Sequence, residues 1–427
     1  MCLTLVCQVS FGGADLLSQV YAVTLCVYLL VIFFVLRVPA FSGLGMYVFY
    51  LFFFVQLGVL LQGLYQPISR SVVYILLGYM VLSPFVVFLL RRPGKHKTLA
   101  NTGNQPPSGV PALLFVIGLV SVFAFYAQVG TVPLLAPDAE NFRIEALAGR
   151  ASNVILASTC FSVAILLQPK ASRRLLWLAI ACPLLLGSGV RSQAMTMVLI
   201  VFVTYWVGRG KRFLLAGGVI GTILVVGYGL VGVARAGLDT WAWSSIYKPF
   251  LWRLYVNTSN LDAVVRLYPD TQFRYGGTFL DDLVVLLPGP QESSMMKLKY
   301  VLGMNFDGGS VTPSVFGEWY VNFGLVGSLV GPLLVLVLVG VLDRIHARHV
   351  DSRMYYLLGF ALAGLATTSL VPILINSYIP VMAAYALVVV VNKSTLGRRS
   401  SPGRSVSRVR RVAPRWEPLP DPLFSWD

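Results

Sequence analysis

Apolar residues along this chain gather in runs that follow one another closely, and the charged residues are largely confined to the segments between them. A membrane-spanning helix needs roughly 20 apolar residues. Runs near that length lie at 17–35, 44–64, 71–90, 110–128, 152–167, 175–189, 194–207, 213–234, 319–342, 354–374 and 379–391. Several fall short by a few residues, so their boundaries are good to about 2–4 positions. The pattern predicts an all-α polytopic membrane protein of about 11 transmembrane helices. Residues 1–394 form one membrane domain and 395–427 a basic, disordered tail.

Composition agrees and excludes a water-soluble fold. Of the residues, 57% are hydrophobic and 12% charged, the mean hydropathy is +0.76, and a soluble domain carries about 25% charged residues. The net charge of +16 would suggest nucleic acid in a soluble protein. Here the basic residues fall in alternate connections: Arg91, Arg92, Lys95 and Lys97; Lys170, Arg173 and Arg174; Arg209, Lys211 and Arg212; Arg344, Arg348 and Arg353; and the tail. The positive-inside rule makes that side the cytoplasm. With an odd number of spans the N-terminus lies outside and the C-terminus inside, and no nucleic-acid partner is expected. Cys26, Cys160 and Cys182 fall in apolar runs and read as small hydrophobes, while Cys2 and Cys7 could pair outside. The N-terminus has no basic n-region or clear cleavage site, so the first run reads as a retained helix.

This orientation puts two substantial loops outside, 129–151 and 235–317. The second is rich in aromatic and apolar residues, which argues for a folded cap of helices at the interface. His96, His346 and His349 all fall in cytoplasmic connections, leaving no outer histidine as base or ligand. Phosphate-binding glycine loops, two-histidine metal motifs and nucleophile elbows are missing, and no metal or cofactor is expected.

Candidate chemistry therefore rests on arginines and carboxylates at outer helix ends. Arg191, in the tight turn of Gly187, Ser188, Gly189, Val190, Arg191 and Ser192, either anchors helix ends at headgroups or grips a pyrophosphate. Arg143 and Arg150 sit among acids in the first outer loop, where a solvated surface is the plainer reading. Arg253, Arg266 and Arg274 share the large loop with Asp262, Asp270, Asp281 and Asp282, and local salt bridges compete with anion binding there. The segment 311–324 is the most distinctive. It places Glu318 where the large loop enters a membrane helix, with Asn322 one turn further on the same face. A partly desolvated carboxylate in that position suits general-base work, and a helix N-terminal acid interacting with the dipole is the alternative.

In these segments the chain resembles the Wzy-type oligosaccharide repeat-unit polymerases, also called O-antigen polymerases. The resemblance covers most of the membrane domain. It is carried by Gly130, Thr131, Val132, Pro133 and Leu134 with Arg143 behind them, by Gly187 to Ser192, and by Arg253. It is also carried by Tyr275, Gly276, Gly277, Thr278, Phe279 and Leu280, by Leu286, Leu287 and Pro288, and by Pro313 to Gly324. The family's usual arginine after that proline is replaced by Gly289 and Pro290.

The resemblance implies a GT-C-like fold in a bacterial cytoplasmic membrane. It also implies an inverting, metal-independent transfer between undecaprenyl-pyrophosphate-linked glycans, with a chain-length regulator protein as a further partner. Its site would comprise Glu318 as base, with Arg143, Arg150, Arg191, Arg253, Arg274 and Asn322 binding substrate. O-antigen ligases share the architecture but carry an outer histidine that this chain lacks. A polysaccharide or lipid transporter would instead show midplane ionisable residues, paired interrupted helices and repeat symmetry.

Overall fold

The computed structural model describes residues 16–90, 109–136, 142, 146, 150–206, 211–236, 243–268, 272–285, 292–304, 311–350 and 352–399. Among them the regular structure is entirely helical. The expected runs become α1 (Leu16–Val35), α2 (Gly43–Leu60), α3 (Arg70–Leu90) and α4 (Gly109–Val129). Then come α5 (Ala151–Leu167), α6 (Ala171–Gly187), α7 (Arg191–Trp206) and α8 (Lys211–Ala236). The former loop supplies α9 (Trp243–Leu267), α10 (Gly277–Val284) and α11 (Ser294–Val301), followed by α12 (Ser314–His349) and α13 (Ser352–Ala363). The last apolar helix is α14 (Leu370–Val391). Among the described residues, 6 helices (α1–α4, α12 and α14) are long and apolar enough to cross a membrane. This is the make-up of a polytopic membrane protein.

Two buried clusters form the core. One joins α1, α2, α3, α9 and α12 through residues such as Tyr47, Leu76, Tyr255 and Leu336. The other joins α4, α5, α6, α7 and α13 through Phe125, Phe161, Leu185, Met197 and Leu358. Close approach depends on small residues, because lipid gives little hydrophobic drive between helices. At Gly58 a Cβ would lie 2.0 Å from Thr258 Oγ1, and at Gly118 one would lie 2.7 Å from the Phe161 ring.

Three features differ from the sequence expectation. First, α9 is no interfacial covering: Leu254, Tyr255 and Leu261 belong to the main core. Its Thr258 hydroxyl bonds to Val55 O, and Asp262 Oδ1 accepts from Ser69 N at 2.8 Å. A third, smaller cluster of Val264, Tyr268, Met295, Leu298 and Tyr320 seats α11 beside it.

Second, α12 is two helices. Phe323 (φ −139°, ψ 15°) and Gly324 (φ 64°, ψ −151°) are non-helical, and the second conformation is essentially restricted to glycine. Residues 314–322 fold back on the helix that follows: a Cβ at Gly331 would lie 2.0 Å from the Trp319 ring. Twelve positions along an uninterrupted helix span about 18 Å, which rules out a gentle bend.

Third, the run expected at 354–374 breaks early. A 3-10 turn at Gly364–Ala366 ends the first helical stretch, and the chain restarts as a helix at Leu370 after an extended Ser369 (φ −68°, ψ 154°). Helical structure then continues to Arg399, into the start of the expected tail. Residues 400–427, Cys2, Cys7, Gly289 and Pro290 lie outside the described residues.

Candidate active site

The two helix breaks meet, and Glu318 stands between them. The half-helix 314–322 brings its side chain, 0% exposed, against the start of α14, where Oε2 accepts from Leu370 N at 3.0 Å. Glu318 Oε1 is buried with no hydrogen-bond partner among the described residues. A carboxylate in that state is expensive unless something else meets its free oxygen.

Asn322, also 0% exposed, locks the other side. Its Oδ1 accepts from Gly276 N at 3.0 Å and Thr278 N at 3.3 Å, and its Nδ2 donates to Thr278 Oγ1 at 2.5 Å and to Glu318 O at 2.9 Å. The carbonyls released where the half-helix ends are taken up by the same strand of chain: Arg274 N donates to Val321 O at 3.1 Å and Tyr275 N to Asn322 O at 3.0 Å. The left-handed backbone at Tyr275 (φ 46°) and Gly276 (φ 92°) produces this turn and starts α10.

The arrangement encloses a cleft of about 10 Å³ whose walls include Tyr268, Arg274, Thr278, Ser294 and Glu318. That is room for about one water and not for a sugar ring. Arg274 is held over it by an ion pair to Asp281 at 2.7 Å, and Lys297 bonds the other oxygen of Asp281 at 2.8 Å. The Tyr268 hydroxyl donates to Gln272 O at 2.7 Å, and burial pushes its pKa up while the charge of Arg274 pulls it down. Chemically, the cleft pairs a carboxylate with one free oxygen and a guanidinium held by Asp281.

Not all sequence candidates converge here. Glu318, Asn322 and Arg274 do. Arg253 lies on α9, half-buried, with no hydrogen bond or ion pair to the described residues. Arg266 pairs with Asp262 at 2.5 Å, the local salt bridge the sequence allowed. Arg150 is half-buried at the N-terminus of α5. Only the backbone of Arg191 is described, at the first position of α7, and Arg143 lies outside the described residues. His346 and His349 sit at the opposite end of α12 from Glu318.

Sequence reasoning read Asp282 as one of the loop acids open to local salt bridges, and missed Ser369 and Leu370. A signal existed: Thr367, Thr368 and Ser369 interrupt an apolar run just before Leu370, Val371 and Pro372, a polar cluster followed by a first-turn proline that marks a helix start.

The family model described as "Putative O-antigen polymerase" matches residues 19–374, more than half of the chain. The chain belongs to the O-antigen polymerase family. The match takes in both helix breaks and every described residue of the cleft. No curated protein and no solved structure matches the chain. Membership of the O-antigen polymerases is thus shown by sequence, and the geometry of the cleft comes from this chain alone.

Proposed function

We propose that this O-antigen polymerase joins undecaprenyl-pyrophosphate-linked repeat units on the outer face of a bacterial cytoplasmic membrane, in an inverting reaction that needs no metal. A hydroxyl of the incoming unit attacks the anomeric carbon of the growing glycan. The bond from that carbon to the undecaprenyl pyrophosphate breaks, and the acceptor proton passes to Glu318. The observation that carries this reading is Glu318 itself, a wholly buried carboxylate with one oxygen tied to Leu370 N and the other unpartnered, in a cleft walled by Arg274.

Arg274 binds the leaving pyrophosphate in exchange for part of its contact with Asp281, a trade suited to a guanidinium fork. Arg253, unengaged on α9, together with Arg143, Arg150 and Arg191, serves the lipid-linked phosphates further out. Asn322 has its four bonds satisfied inside the protein and therefore shapes the site around the substrate. The basic connections support an orientation with the breaks and the cap outside and the C-terminus in the cytoplasm. Because the cleft is too small for a sugar ring, substrate entry displaces its walls.

One observation favours a second reading. Two interrupted helices meeting at ionisable residues is the arrangement expected of a lipid or polysaccharide transporter. The two readings separate in one assay. Purified protein in detergent is given the lipid-linked repeat unit extracted from cells lacking the polymerase, with and without a chelator. A ladder of longer products that survives the chelator supports the polymerase. Absence of any ladder, alongside movement of the unit across vesicle membranes, supports the transporter.

A further inference from the structure

Asp282 is a second buried acid at the junction, and the chemistry above does not use it. It is 4% exposed. Its Oδ1 accepts from Ser294 N, at the start of α11, at 2.8 Å, and its Oδ2 accepts from the Ser369 hydroxyl at 2.9 Å.

Ser369 is the N-cap residue of α14. A serine there ordinarily turns its hydroxyl back onto an N–H of its own first turn, which stabilises the helix start. Ser369 makes no such bond. Its hydroxyl points to Asp282, while the backbone N–H of the very next residue, Leu370, meets Glu318 Oε2 at 3.0 Å. Two carboxylates from separate elements are thus gripped by consecutive residues of one helix start. A helix that gives up its own cap to hold a neighbouring acid departs from local preference, as functional sites do.

We infer that Asp282, acting through Ser369, is a positioning residue for the transfer reaction: it pins the start of α14 so that Leu370 N–H holds one oxygen of Glu318 and leaves the other for substrate. This rests on the reading of Glu318 as base. Asp282 touches neither the reacting sugar nor the pyrophosphate. Without the strap, the start of α14 falls back on its own serine cap, Leu370 N–H moves, and the carboxylate rotates within the cleft.

The test uses the purified full-length protein and the same lipid-linked repeat unit. Ser369→Ala removes only the hydroxyl and is expected to lower kcat for elongation about tenfold, the scale of one lost hydrogen bond. KM and Tm should stay near wild type. Ser369→Thr, which keeps the hydroxyl, should restore most of kcat, and Asp282→Ala should behave like Ser369→Ala. If the serine acts through Glu318, adding Ser369→Ala to Glu318→Gln lowers kcat no further, because residues acting as a unit are non-additive.

Wild-type kcat in Ser369→Ala, or a loss that multiplies with that of Glu318→Gln, overturns the inference. So does a fall in kcat that only follows a fall in Tm. If Ser369→Ala does not fold, Ser369→Gly, which also removes the hydroxyl and is well tolerated at an N-cap, carries the same comparison. Full activity in Glu318→Gln would sink the base reading itself. A slow Glu318→Gln beside a wild-type Ser369→Ala would sink only the strap.

Discussion

The pair α4 and α5 and the junction of α12 with α14 solve the same problem in opposite ways. In the pair, both helices run uninterrupted, so each backbone group finds its partner within its own helix, as a lipid environment demands. Apart from an exposed bond from Asn153 Nδ2 to Gln128 Oε1 at 3.2 Å, packing is then left to shape: the Phe161 ring lies against Gly118 and tilts on Phe115 at 5.1 Å, and Phe115 stacks on Trp177 at 4.7 Å. Even Ser121 spends its hydroxyl on its own helix, at Ile117 O. At the junction, both helices stop short, and the freed N–H and C=O groups bond to Glu318, Arg274 and Tyr275 instead. A broken helix offers fixed donors to an acid without any cation. Regular helices build the scaffold, and interrupted ones build the site.

The sharpest way to break this comparison is to remove the charge that the junction holds. Glu318→Gln keeps an acceptor for Leu370 N–H, so Tm should change little while elongation falls roughly 10²-fold or more, as for loss of a positioned base. Glu318→Asp should fall between. Product ladders and thermal unfolding on the same preparations check it, and normal elongation by the Gln variant would return Glu318 to a structural role.

Next in size come the glycines of the fold-back. Ala at Gly331 would drive a Cβ into Trp319, and Ala at Gly324 meets both an unfavourable backbone (φ 64°) and the Phe273 ring at 2.9 Å. Each should cost about 1–3 kcal/mol of stability and lower kcat with it, because Trp319 is the residue after the acid. Thermal unfolding in detergent measures the first and product ladders the second. Unchanged Tm in both variants would mean that the two halves of α12 do not pack as described.

A smaller effect is expected at Arg253. Lysine keeps the charge but loses the planar fork, so Arg253→Lys should reduce kcat/KM by a few-fold with unchanged Tm. Wild-type kinetics would leave Arg253 as an anchor of α9. Least of all should change at Gly218 in α8, where a Cβ meets nothing within 4 Å. Ala there should stay within about 0.5 kcal/mol of wild type, and a larger shift in Tm would reveal a neighbour at that face.

How much of this the sequence disclosed follows from the same contrast. Helices such as α3 and α4 were legible nearly to the residue, because lipid imposes length and apolarity on a spanning segment. Glu318 and Asn322 were legible as a pair one turn apart, because both lie on the half-helix 314–322. The fold-back was not: hydropathy reads 319–342 as one apolar run, and only Gly324 marks the reversal. The partners of the acid were hidden for a different reason. Leu370 N–H is a backbone group, without a side chain to signal its use, and Asp282 reaches Ser369 across 87 positions of sequence. The core role of α9 was also concealed, since its buried face of Leu254, Tyr255 and Leu261 is interleaved with Arg253, Asn257 and Asp262.

The fold-back also sets an order of events during biogenesis. The surface that receives Trp319, at Gly327 and Gly331, is synthesised after the half-helix that carries the acid. The single donor to the Glu318 carboxylate among the described residues comes later still, at Leu370. A nascent chain can therefore thread its early helices into the bilayer with the carboxylate still unseated. The acid can take up the setting described here only once the start of α14 has been synthesised and has docked.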